Sequence, residues 1–391
     1  MREPIYLDHA ATTPVRPEAR EAMLPYLGEQ AFGNPSSPHG FGRTARAGLD
    51  QARRQVALAL GAETGQVFFT SGGTEADNLA VIGAALAARD RGAPMRVAVS
   101  AVEHKAVLAG AHAVAHLGGS EEILPVGRDG VVDLVALDAA LARRPVVVSV
   151  MWVNNETGVI QPVAEIGRRC RAAGVAFHTD AVQAFGNLPI RFGELPCDLL
   201  TVSAHKIGGP KGVGALVVRQ RETIEPLIQG GSQQGGLRPG TENIAGAIGF
   251  GRAAELAVEE QPEHACRLAG LRNRLRDRLL GAVPDLVVVG EGADRASHIL
   301  NICVPGADSE ALLMHLDLAG VAASSGSACT TGAVEPSHVL VAMGIARALA
   351  IGALRFSLGR GTTEADVDRA SEVFPRVVSR VRSLAGVLAR A

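Results

Sequence analysis

The chain is basic almost entirely through arginine: of its 38 lysine and arginine residues only Lys105, Lys206 and Lys211 are lysines. An amine differs from a guanidinium in one chemical respect. Burial can strip its proton, after which it attacks carbonyl carbon. Lys206 follows directly on the apolar run "DLLTVS" and opens the Gly-rich stretch "HKIGGPKGVG". Ligands of open α/β sheets gather at the carboxyl ends of strands, which makes Lys206 the candidate for imine chemistry. Lys211, between Pro210 and Gly212, is the better candidate for an exposed lysine. A surface amine in a Gly-rich hairpin is the plain alternative for either.

Other strand ends supply complementary parts. "VFFTSGGTEADN" reads as a strand, two glycines, then Thr74 and an acidic first turn. Glycines let backbone N–H groups approach an anion, and a helix N-terminus favours negative charge. The same letters also read as an ordinary capped turn, with Thr74 as N-cap and Asp77 three residues on. "VAFHTDAVQAFG" places Asp180 at another strand end, with Gln183 close behind. Asp180 either caps a following helix or holds a pyridinium nitrogen protonated. His104, after the run "RVAVSA", either lies against a ring face or is structural. A lysine imine, a phosphate cradle and an aspartate on a ring nitrogen are jointly what pyridoxal 5′-phosphate requires.

The elements that must position these groups are legible in outline. "QVFF", "RVAVS", "EEILPV", "VVVSVMWV", "VAFHTD", "DLLTVS" and "GALVV" read as strands, with helical patterns such as "TEADNLAVIGAALAARD" and "PVAEIGRRCRAAG" between several of them. Apolar strands alternating with helices predict an α/β fold with a mostly parallel seven-stranded sheet covered on both faces. "GALVV" follows its predecessor too closely for a crossover helix and is expected antiparallel. Beyond residue 262, "DLVVVGE", "HILNICVPG", "VAASSG", "LRFSLG" and the helix "DSEALLMHLDLAG" predict a smaller α+β domain. The expected division is a large domain over 16–260 and a small one from 1–15 and 261–391, the boundary falling in a helical stretch around 250–265.

Bulk properties exclude several function classes. A net charge of -2 and a pI near 6.6 give no reason to expect nucleic acid or an anionic membrane as partner. The N-terminal residues lack a signal-peptide core, and the longest apolar run is too short to span a bilayer. The cysteines at 170, 197, 266, 303 and 329 are scattered and form no CxxC pair, so neither a disulfide framework nor a zinc knuckle is expected, and no metal. A reducing cytoplasm is the simplest setting.

The motifs "YLDHAATTP", "FGNPSSPHGFGR", "SGGTEADN", "EHKAVL", "WVNNETGVIQP", "HTDAVQAFG", "SAHKIGGPKGVGAL", "LRPGTEN", "SSGSACTTGAVEPSHVL" and "LRFSLGR" run in order from residue 5 to about 365. Together they closely resemble the cysteine desulfurases of the NifS/IscS kind, fold-type I pyridoxal-phosphate enzymes of the class V aminotransferase group. The resemblance implies that Lys206 binds the cofactor covalently and moves the Cα proton, and that His104 stacks on the ring. It implies Asp180 on the pyridine nitrogen, Gln183 on the phenolic oxygen, and Gly73, Thr74, Ser203 and His205 around the phosphate. Thr241 matches a residue reaching the phosphate from a second subunit, which implies a homodimer with shared sites. Asn155 and Arg355 resemble the holders of the substrate carboxylate, a task suited to a planar guanidinium.

Cys329 matches the thiol that takes sulfur from L-cysteine as a persulfide, leaving alanine. It sits among small residues unlike a packing core, whereas the other four cysteines read as inert filler. The implied destination is an acceptor protein, with iron–sulfur cluster assembly in the lead. Gln234 and Gly236 stand where relatives usually carry an acidic and a basic residue, which removes a local ion pair. The alternatives are a selenocysteine lyase or aminotransferase of the same fold, and a non-catalytic sulfur-assembly subunit that would be expected to have lost Lys206, Cys329 or Arg355.

Overall fold

The computed structural model describes residues 4–325 and 335–388. The short strand β1 (Ile5–Tyr6) precedes the helices α1 (Pro17–Leu27) and α2 (Gly40–Leu60). Seven strands then build the main sheet: β2 (Val67–Thr70), β3 (Arg96–Ser100), β4 (Ser120–Leu124), β5 (Val147–Ser149), β6 (Ala176–Asp180), β7 (Leu199–Ser203) and β8 (Gly214–Val218). Their spatial order is β2-β8-β7-β6-β5-β3-β4. All neighbours from β7 to β4 pair in parallel, and β8 runs antiparallel to both β2 and β7. The expectation for "GALVV" therefore holds, for the reason given: Ser203 and Gly214 are too close in sequence for a crossover.

Helices α3 (Gly73–Asp90), α4 (Lys105–His116), α5 (Leu134–Leu141) and α6 (Val163–Ala173) connect the strands. Strands β2, β5, β7 and β8 are buried at every residue, as a sheet covered on both faces requires. One hydrophobic cluster on one face joins Val148, Phe177 and Leu200 to Leu49 and Phe250, and another on the opposite face joins Val97, Val99 and Leu216 to Leu79 and Val107. The run "VVVSVMWV" pairs with both neighbouring strands only over its first part. Val150, Met151 and Val153 stay buried, and Val150 N and Trp152 N still bond to His178 O and Asp180 O of β6, while the Met151 N–H is taken by a Glu103 carboxylate oxygen at 2.6 Å.

After β8 comes the long helix α7 (Ile244–Ala282), then β9 (Val287–Val288), β10 (Ile299–Cys303), α8 (Ser309–Leu318), β11 (Val321–Ala322), α9 (His338–Ala342), α10 (Arg347–Ala350), β12 (Ala353–Ser357) and α11 (Glu364–Leu388). Strands β12, β10 and β9 form a small antiparallel sheet, and β1 pairs in parallel with β11. A separate cluster holds them, joining Leu7, Leu275, Leu300, Leu354, Phe356 and Phe374. The stretch around 250–265 is uninterrupted helix: Phe250 and Ala254 of α7 pack in the first cluster, Leu268 and Leu275 in this one, with Pro262 between.

The turn entering α3 departs from the simplest capping. The N-cap is Gly72, at φ 157° and ψ -176°, a conformation reserved to glycine, and Thr74 is already inside the helix. Glu75, not Asp77, reaches back, accepting from Ser71 N at 2.9 Å, while Asp77 is buried. Gly214 seals this turn from behind. A Cβ there would stand 2.7 Å from Val202 O and 2.8 Å from the Gly72 carbonyl carbon, both backbone. Gly214→Ala is expected to cost about 1–3 kcal/mol, read as a lowered thermal midpoint, and to weaken anion binding at the α3 N-terminus; an unchanged midpoint would show that the turn yields freely.

Candidate active site

Strands β7, β6, β5 and β3 are consecutive in the sheet and end at one edge, and β2 ends there too, since Thr70 and Ser203 both pair with Gly214. The chain thereby delivers five groups to one cavity of about 380 Å³: Lys206 just past β7, Asp180 closing β6, Asn155 beyond β5, His104 beyond β3, and Gly73 with Thr74 after β2. Gln183, Ser203, His205 and Arg355 also line it. Of the candidate catalytic, cofactor and substrate residues within the described part of the chain, Thr241 alone is not among its walls. Thr241 is exposed, just ahead of α7. Cys329 lies outside the described residues.

Lys206 Nζ donates to Ala10 O at 2.5 Å and to Ala11 O at 2.8 Å. Burial, and secondarily the Arg355 guanidinium, lower its pKa to about 8 against the attraction of Asp180 and Asp8. His205, beside it, is held at about 4, first by burial and then by the Lys206 and Lys211 charges; its Nδ1 lies 3.1 Å from Thr12 Oγ1. His104 is the N-cap of α4, its Nδ1 accepting from Ala106 N at 3.2 Å, so a neutral ring carries its proton on Nε2.

Asp180 caps no helix, since turns follow it; Oδ1 accepts from Val182 N at 2.8 Å. Burial raises its pKa, opposed by His104, the Val182 N–H and Lys206. A cationic ring N–H placed against this carboxylate would relieve that burial cost. Two further carboxyls stand close by, Asp77 and Glu103, both raised well above the ordinary range by burial and by Asp180. Between them His178 links Ser149 Oγ (2.8 Å from Nδ1) and Thr201 Oγ1 (3.0 Å from Nε2), and burial holds it neutral with a pKa of about 3. Sequence reading had Asp77 only as a cap partner and passed over Glu103 and His178. The available signal was a polar residue within or just after an otherwise apolar run: "AFHTD" for His178 and "VAVSAVE" for Glu103.

Arg355, on β12, donates Nη2 to Asp8 Oδ1 at 2.7 Å and Nη1 to Asn155 O at 2.9 Å, while its buried Nε has no partner. Asn155 thus holds Arg355 through its backbone. Gln183 Nε2 donates to Ala10 O at 2.9 Å. Gln234 is buried and accepts from Arg53 Nη1 at 2.8 Å and Phe69 N at 2.9 Å, so a hydrogen-bonded amide stands where the resemblance expected a charge. Cys170, Cys197 and Cys303 are buried with thiols pushed up by burial, to about 12 for Cys170 and Cys303, which suits filler. Cys266 does not fit that reading, being exposed on α7.

The donor set fits pyridoxal 5′-phosphate. The Ser203 hydroxyl is buried without a partner. It stands beside the first turn of α3, whose N–H groups have no intrahelical acceptor, and together they supply what a phosphate needs. Asp180 and the Lys206 amine supply what the ring nitrogen and the aldehyde need. The fold and the cavity define a fold-type I pyridoxal-phosphate enzyme.

Comparison with known proteins narrows the class. The aminotransferase class-V family model matches residues 5–370, and the chain belongs to that family. Similar proteins include the cysteine desulfurase IscS of Dictyoglomus turgidum, 44% identical over 98% of this chain and 97% of its own length. A cysteine desulfurase of Cereibacter sphaeroides is 48% identical over the same shares. Among solved structures, a NifS-like protein superposes with a TM-score of 0.89 at 34% identity, covering 96% of this chain and all of its own.

The lowered Lys206 pKa has a measurable consequence. Only the free amine attacks an aldehyde, so cofactor uptake by the apoprotein should plateau above about pH 8 and slow roughly tenfold per unit below it. Stopped-flow absorbance would record this; a midpoint near the ordinary lysine value of 10.5 would show that the amine is not desolvated.

Proposed function

We propose that this chain is a cysteine desulfurase that takes sulfur from L-cysteine onto Cys329 and passes it to an acceptor protein. The observation that carries the reading is the Lys206 amine, held on two backbone carbonyls in the same cavity as the Asp180 carboxylate. Its similarity over nearly the whole length to proteins named cysteine desulfurase supports the choice of substrate.

When bound, the cofactor supplies an electron sink that acidifies the substrate Cα–H and lets the carbon–sulfur bond part with its electrons left on carbon. The protein's own residues do the rest. The α3 N-terminus, Ser203 and His205 would hold the phosphate, Asp180 would keep a proton on the ring nitrogen, and His104 would lie against the ring. Gln183, whose Nε2 already donates to Ala10 O, would offer its other amide hydrogen to the phenolic oxygen. Arg355 binds the substrate carboxylate, its fork aimed by Asp8 and the Asn155 carbonyl. Lys206 takes the proton from Cα. The Cys329 thiolate attacks the substrate sulfur, forming an S–S bond as C–S breaks; the carbon gains a proton and becomes the methyl group of alanine.

The same reading divides the chain into a cofactor-binding unit, residues 16–260, and a smaller unit of residues 1–15 and 261–391. The separate hydrophobic clusters on either side of Pro262 support that division. It also pairs two copies, Thr241 of each completing the phosphate site of the other; its exposure outside its own cavity suits that role. The sulfur acceptor belongs to iron–sulfur cluster assembly. A reducing cytoplasm suits a mechanism that needs Cys329 as a thiol. Among the described residues no helix is long and apolar enough to cross a membrane.

The direct test is to supply L-cysteine and a thiol reductant and measure products: sulfide and alanine should appear in equal amounts. Cys329→Ala is expected to keep the cofactor's colour and lose sulfide release to background; sulfide at the parental rate would remove Cys329 from the mechanism. Arg355→Lys should keep the cofactor and raise KM for L-cysteine about 10- to 100-fold, the worth of a lost charged hydrogen bond. An unchanged KM would mean that the carboxylate binds elsewhere.

A further inference from the structure

Gln183 stands between two fixed partners. Its Nε2 lies 2.9 Å from the carbonyl oxygen of Ala10, and its Oε1 lies 3.2 Å from Nε2 of His298. A carbonyl oxygen only accepts, so the Gln183 atom facing Ala10 has to be the NH₂ group. Oε1 is then the atom facing His298 and, accepting only, it requires the proton on His298 Nε2. The neutral ring has one proton, which leaves Nδ1 a bare acceptor. That nitrogen is buried and without a hydrogen-bond partner.

A histidine buried with half its polar capacity unused calls for an explanation, and the bonded half is where to look. The His298 backbone is fixed as well: Leu358 N donates to its carbonyl at 2.8 Å, and the next residue opens β10. Burial, reinforced by His264, Arg355, His9 and Arg272, keeps its pKa at about 3, so the ring stays a single-proton donor near neutral pH.

We infer that His298 is a positioning residue for the cofactor: by donating Nε2–H to Gln183 Oε1 it locks that amide with its NH₂ toward the cavity, one hydrogen on Ala10 and the other offered to the phenolic oxygen. The inference rests on the reading of Gln183 as the partner of that oxygen. Without the imidazole, Ala10 alone opposes a turn of the amide that would present Oε1, an acceptor, to an oxygen that needs a donor.

The holoenzyme carries its own readout, the pH midpoint of the bound cofactor's visible absorption, which follows the charge balance at the phenolic oxygen. His298→Leu should raise this midpoint by about one pH unit, the worth of one hydrogen bond to a charged oxygen. His298→Gln, which restores a donor at similar reach, should return it close to the parent. Gln183→Leu should give the same rise, and the double variant no more than either single one. If Gln183→Leu leaves the midpoint in place, the reading of Gln183 falls and the role of His298 with it. If Gln183→Leu moves it and His298→Leu does not, the positioning role alone is wrong. A His298→Leu shift that persists in full beside Gln183→Leu is equally fatal, because the ring would then act on its own. Thermal unfolding of each variant establishes that it is folded; should His298→Leu fail that check, His298→Met against His298→Gln makes the same comparison.

Discussion

One backbone carbonyl organises the site. Ala10 O accepts from both Lys206 and Gln183, at 2.5 and 2.9 Å, so two side chains from different strand ends are set by one atom of a third segment. That segment is sewn down on both sides. His9 N and Ala10 N bond to Ser357 O and Oγ at the end of β12, and Thr13 bonds through its N–H and hydroxyl to His205 O. An amine stripped of water loses several kcal/mol of hydration unless polar atoms replace it. Here the replacement is backbone, which cannot be protonated away or rotate out of reach. Lys206 can therefore be kept partly desolvated, with a lowered pKa, and still be ordered.

The main sheet explains why the remaining groups converge. Parallel strands deliver their carboxyl ends to one edge, and each end makes a different contribution because a different residue type falls there: Ser203 and Lys206, Asp180, Asn155, His104. The antiparallel β8 has a separate task. By pairing with β2 and β7 at once it brings the turn before α3 beside Ser203, and Gly214 permits the approach because no side chain intervenes. The α3 N-terminus, the buried Asp180 carboxylate and the Lys206 amine thereby come to line one cavity.

What was legible in the sequence follows from this. Lys206, Asp180 and His104 each sit within a few residues of an apolar run, so strand position and residue type together expose them. The α/β alternation and the antiparallel final strand were readable for the same reason. Asp77 was misread because local spacing matched a cap, while its burial is decided by the sheet beneath α3. The partnership of His298 with Gln183 and that of Ala10 with Lys206 span contacts between residues far apart in the chain. No local pattern encodes those; they exist only once the second hydrophobic cluster has docked its strands.

That docking also positions Arg355. Arg355 and Asp8 belong to segments held by the small cluster, whereas the Asn155 carbonyl comes from the large sheet, so the guanidinium bridges the two. His298 reaches Gln183 across the same seam. A strain that slid one cluster against the other would thus move Arg355, the Gln183 amide and, through Ala10 O, the Lys206 amine together, while leaving Asp180, Ser203 and the α3 N-terminus in place. Asp180, Ser203 and the α3 N-terminus depend on the main sheet. Arg355, Gln183 and Lys206 depend also on the joint, because their partners Asp8, His298 and Ala10 lie on the small cluster's side of it.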